Sequence, residues 1–151
     1  MQRKMRLKNI MEWMHEHAND KTREGMARFG INTENAFGVN MDELRKYAKY
    51  DIRKSHELAL ELWETGKHEP RILASLLDEE ALVEEDQMEQ WVSEFDSWDL
   101  CDQVCMNLFW KTQYAYIKAE EWTESENEFV KRAGFVLMAV LAVHDKRGSN
   151  K

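Results

Sequence analysis

At 151 residues the chain is long enough for one compact domain over 1–151, burying roughly 70% of its unfolded surface without a disulfide staple. One Pro, six Gly and an abundance of Leu, Met, Ala, Glu and Lys predict an all-α protein, and no stretch nears the roughly 18 apolar residues of a membrane span. The basic start MQRKMRLKNIMEWMHEHAND has no apolar core or cleavage signal, so a cytoplasmic protein is expected, and the net charge of −8 weighs against a nucleic-acid partner held by overall charge alone.

Apolar spacing and capping signals predict helices at about 3–18, 20–29, 41–51, 56–65, 69–78, 85–95, 98–110, 113–122 and 126–144. The N-terminal helices, within about 3–51, carry two basic clusters: Arg3, Lys4, Arg6 and Lys8, then Arg45, Lys46, Lys49, Arg53 and Lys54 just beyond. FGINTENAFGV, residues 29–39, is the longest loop-like piece. Asn40 with Glu43, and Ser125 with Glu128, have the spacing of an N-cap and its acidic partner. Gly66 after one helix and Pro70 inside the next give a stop and a start. The acidic residues concentrate in EEALVEEDQMEQ and EEWTESENE, which read as outer helices and turns, so the field at one surface can differ from the total.

Over about 56–144 a weak repeat aligns Trp63, Trp91 and Trp122, spaced by 28 and 31 residues. Each ends a first helix (ALELW, QMEQW, KAEEW) and precedes a more apolar second one. Such pairs bury their apolar faces only by stacking, which predicts an α-solenoid with a concave surface lined by the second helices. The three Trp are read as packing residues.

Cys101 and Cys105, four apart on one helix, are expected to be reduced core thiols; a bridge at that spacing would strain the helix. In FDSWDLCDQVC, Ser97 can cap, Leu100, Cys101, Val104 and Leu108 form an apolar stripe, and Trp98 and Asp102 share another face one turn apart. A Trp beside a carboxylate offers a platform for a cation or sugar and an acceptor for positive charge, although spacing alone favours a surface Trp beside a solvated Asp. Arg132 falls at the edge of the stripe formed by Phe129, Ala133, Val136, Leu137 and Val140. Partly desolvated there, it needs an anion: a protein carboxylate such as Asp102 or Asp99, which spacing favours, or a ligand phosphate. Arg71 follows the same logic more weakly. The five His have no metal-ligand spacing, and no phosphate loop, dinucleotide fingerprint or nucleophile with a base is evident, so no metal or cofactor is expected.

Taken in order, GVNMDELRKYAK, HEPRILASLL, SWDLCDQVC and KRAGFVLM resemble the AlkD-like DNA alkylation repair family from about Met26 to Lys146. The resemblance implies a HEAT-like helical-repeat superhelix and a glycosylase that hydrolyses the N-glycosidic bond of N3- and N7-alkylated purines in duplex DNA, without metal and without extruding the base. It implies Asp102 as the catalytic carboxylate, Trp98 against the deoxyribose, and Arg132 on the DNA backbone or the carboxylate beside it. The family's fold continues past HDKRGSNK, where a second active-site Trp has no counterpart, so C-terminal repeats are expected to be lacking and the terminal repeat exposed. Two alternatives stand beside it: a non-catalytic DNA-binding relative, and a helical-repeat scaffold for proteins, which the acidic charge favours.

Overall fold

A computed structural model describes residues 2–149, with side chains from 6 to 145. Arg3 and Lys4 of the first basic cluster lie outside the described side chains. Among the described residues nine α-helices and two 3₁₀ turns form, and no strand. The chain divides into two compact units, Met1–Glu79 and Glu80–Lys151.

The first unit holds α1 (Gln2–Glu16), α2 (Asp20–Arg28), α3 (Met41–Tyr50), α4 (His56–Glu64) and α5 (His68–Leu77). Asn40 caps α3 as its spacing predicts, accepting from the Asp42 and Glu43 amides at 2.8 and 3.3 Å. Gly66, at φ 71°, follows α4. α5 is the centre, with α1, α3 and α4 packed on it. Leu58, Leu62 and Trp63 from α4 and Ile72, Leu73 and Leu77 from α5 are buried. Arg71 reaches back over the Trp63 ring, 4.6 Å from its centroid, and donates from Nε to the Trp63 carbonyl at 3.1 Å.

The loop over 29–39 is held by the start of α5. The His68 amide donates to the Asn35 carbonyl at 2.9 Å. The buried Glu69 carboxylate accepts the Phe37, Gly38 and Val39 amides at 2.9, 2.8 and 3.1 Å. Gly38 is at φ 84°, and a Cβ there would stand 2.4 Å from the Asn19 carbonyl oxygen. Only glycine meets both conditions.

The second unit has a 3₁₀ turn (Glu80–Leu82), α6 (Glu85–Ser93), α7 (Trp98–Asn107), a 3₁₀ turn (Phe109–Lys111), α8 (Ala115–Thr123) and α9 (Glu128–Ser149). The helix expected over 98–110 therefore breaks at Leu108, whose φ and ψ of −134° and −58° leave the helical region. Phe109 beyond it is buried, with the rings of Trp122, Phe95 and Trp91 at 5.7, 6.2 and 6.3 Å. Trp63, Trp91 and Trp122 are all core residues, as read from the repeat. Two capping expectations change. Asn127 caps α9, accepting from the Phe129 and Val130 amides, while Ser125 accepts only from Asn127. Ser97 stands at the start of α7 but does not cap it; its buried hydroxyl donates to the Asp99 carboxylate at 2.8 Å.

α6, α7 and α8 pack on α9. Its buried line is Ala133, Gly134, Leu137 and Leu141, with Phe129, Val136 and Val140 only half-buried. Phe135, Met138 and Val143 on its other side are exposed. Gly134 lets α8 approach: a Cβ would lie 2.5 Å from the Thr123 amide nitrogen and 2.8 Å from the Trp122 carbonyl carbon. Gly134→Ala is expected to destabilise by about 1–3 kcal/mol, overriding alanine's helix advantage of about 1 kcal/mol. A rise in the thermal midpoint of this variant would show that the two helices separate freely. Among the described residues no helix is long and apolar enough to cross a membrane.

Candidate functional site

The α7 pattern separates its faces. Leu100, Cys101, Val104 and Cys105 are buried, which turns Trp98, Asp102 and Met106, one turn apart, toward the surface; the first two are half-buried and Met106 is exposed. Both thiols are free. Cys101 Sγ donates to the Phe129 carbonyl at 3.5 Å and Cys105 Sγ to the Ala133 carbonyl at 3.8 Å. Burial pushes the Cys105 thiol well above the ordinary range, so it stays protonated and able to donate. Both bonds cross from α7 to α9 and mark the register in which the two helices pack.

In that register Arg132 meets Asp102 through a two-point fork, Nε to Oδ1 at 2.8 Å and Nη2 to Oδ2 at 2.9 Å. The guanidinium carbon stands 5.8 Å from the centre of the Trp98 ring. All three residues expected from the sequence thus converge, and of the two carboxylates open to Arg132 it takes Asp102. The hydrogen bond to Asp102 raises the Arg132 pKa, against the opposing effect of partial burial. With the Arg and Asp side chains 43% and 24% exposed, the pair contributes about 1 kcal/mol or less to folding. Two of the five guanidinium N–H donors are used, and those left can meet a further anion. Chemically the arrangement places a carboxylate, forked to a guanidinium, beside an aromatic face at a surface open to a ligand.

The surrounding charge is less accommodating to phosphate. Met1–Glu79 carries 14 basic and 14 acidic residues, whereas Glu80–Lys151 carries 7 basic and 15 acidic, so the whole net charge of −8 falls on the unit that holds this site. Lys131 is the other Lys or Arg among the described side chains of α9. Lys118 is buried in a cage of Glu85, Glu89 and Glu121, at 2.7, 2.7 and 3.1 Å. Burial would lower its pKa, but the three carboxylates together raise it, so it is consumed in holding α6 to α8. The sequence reading missed this cage; its local trace is the spacing of three from Lys118 to Glu121. Among the described residues no group of three or more His, Cys, Asp or Glu could hold a metal ion.

The family model described as DNA alkylation repair enzyme matches residues 10–149. The chain belongs to this family. A solved structure reported as "A new family of proteins related to the HEAT-like repeat DNA glycosylases with affinity for branched DNA structures" is similar at a TM-score of 0.80 and 24% identity, covering 89% of this chain and 57% of that one. The likeness establishes the HEAT-like helical-repeat fold, and the chain spans less than two thirds of that structure's length. A comparison with curated proteins gives no match.

Proposed function

We propose that the chain acts in DNA repair as a glycosylase of N3- and N7-alkylated purines in duplex DNA. The observation that supports this is the convergence of Trp98, Asp102 and Arg132 on one open surface, in a member of the alkylation repair family. Such purines carry a positive charge and leave readily, so the sugar needs electrostatic help more than a strong acid. Asp102 stabilises the oxocarbenium character that develops and positions water, Trp98 offers its ring to the deoxyribose, and Arg132 meets a backbone phosphate with the donors that its fork to Asp102 leaves over. The test is release of 7-methylguanine from methylated duplex DNA by the purified chain. A folded, helical protein that releases no base would end the glycosylase reading.

Beside the glycosylase stands a relative that binds DNA without excising a base, while the acidic balance of Glu80–Lys151 favours a further reading, a helical-repeat scaffold that binds proteins. Duplex and four-way-junction DNA in the same binding assay separate the scaffold from both DNA readings, the junction being the probe suggested by the relative's affinity for branched DNA. For either DNA reading, Arg132→Ala is expected to weaken binding and to flatten the plot of log affinity against log salt by about one contact. An unchanged slope would mean that Arg132 pairs only within the protein.

A further inference from the structure

The two basic clusters of the N-terminal segment are separate in sequence and play no part in the site above, yet they meet. Arg6 Nη2 donates to the Arg53 carbonyl at 3.3 Å, across 47 residues. This contact stands at a cleft of about 470 Å3 lined by Arg6, Asn9, Ile10, Tyr47, Asp51 and Arg53, among others. The Tyr47 wall is stiff: its ring stacks on Trp13 at 3.9 Å and 5°, and Trp13 stacks on His17 at 4.0 Å. Burial, with Asp51 and Glu16 nearby, raises the Tyr47 pKa, so its hydroxyl stays a neutral donor. Asp51 is the one acid in the lining, against two guanidinium groups.

We infer that this cleft binds a phosphate of a nucleic-acid backbone, with Arg6 and Arg53 as its cations and Asn9 as a neutral partner. The Arg53 side chain, like those of Lys8 and Lys46 nearby in sequence, has no ion pair or hydrogen bond among the described residues. Its charge is therefore not already spent within the fold. Two guanidiniums at one cleft suit phosphate because each presents a planar fork of donors and sheds water more easily than an ammonium. Phosphate contacts fix position on a duplex without reading sequence. The unit that carries the cleft is electrically balanced overall, so local clustering can give it a positive face that the acidic unit lacks. The inference rests on the proposed function only for the class of ligand, a nucleic acid.

The test is arginine footprinting with phenylglyoxal on the full chain, read by mass spectrometry, with no addition, with a short duplex DNA, or with inorganic phosphate at the same phosphate concentration. Duplex is expected to slow modification of Arg6 and Arg53 by about fivefold or more while exposed Arg28 reacts unchanged, and phosphate alone is expected to protect little. Arg6 and Arg53 left unprotected by excess duplex would overturn the inference, as would equal protection by phosphate, which would mark a free-anion site. Protection at Arg132 is a separate readout. If Arg6 and Arg53 are protected and Arg132 is not, the cleft stands and the Arg132 phosphate contact of the proposed function falls; the reverse pattern removes the cleft alone. Arg53→Gln keeps the fold because the side chain is exposed, and it is expected to lower the salt slope for duplex by about one; Arg6→Gln with Arg53→Gln lowers it by about two. An unchanged slope in both variants overturns the assignment.

Discussion

Asp102→Asn is expected to reduce 7-methylguanine release by about 100-fold or more while leaving duplex affinity within about threefold, because the carboxylate acts on charge that develops in the transition state. The amide keeps the shape of the carboxylate and one acceptor for Arg132, so the helix pairing of α7 and α9 survives. Stability should change by about 1 kcal/mol or less, since the pair it weakens is partly exposed. Single-turnover release and equilibrium binding, measured on the same preparation, separate the two effects. Parallel loss of both would make Asp102 a structural partner of Arg132 and no more. Trp98 sits beside this pair, so its removal should affect release and binding together, unlike that of Asp102.

Glu69→Ala is the other substitution with a large expected effect, here on stability. The buried carboxylate accepts three backbone amides from the 37–39 segment, each at 3.1 Å or less. Removing it leaves those donors to a cavity that offers no acceptor, at a cost of about 3–5 kcal/mol. Glu69→Gln keeps the volume but turns an N–H2 group toward other donors, and should lose about half as much. Urea unfolding gives both values, and hydrogen exchange should show the amides of Gly38 and Val39 losing protection first. A midpoint unchanged in the Gln variant would show that water or another group takes over the amides.

What could be read in the sequence follows from the range of the forces involved. The all-helical pattern, the Asn40 cap and the burial of Trp63, Trp91 and Trp122 depend on neighbours within one or two turns and agree with the structure, whereas the helix expected over 98–110 breaks at Leu108. The shared face of Trp98 and Asp102 is local in the same way, being one turn of one helix. Errors within this range came from competing side chains: Asn127 and Ser125 both offer an oxygen near the start of α9, and Ser97 is close enough to Asp99 to donate to it.

Periodicity, composition and capping residues by themselves determined that this chain is all-helical, repetitive and furnished with a Trp and an Asp on one outward face. Only the tertiary structure decided the partners: Arg132 with Asp102 across 30 residues, Glu69 with the loop amides across about the same span, and Arg6 with Arg53 across 47. It also divided the charge, placing the acidic excess on the unit of the candidate site and an even balance on the other. Helix formation is written in neighbours along the chain, whereas an ion pair or a carboxylate cradle exists only once packing has fixed which distant side chains share a place.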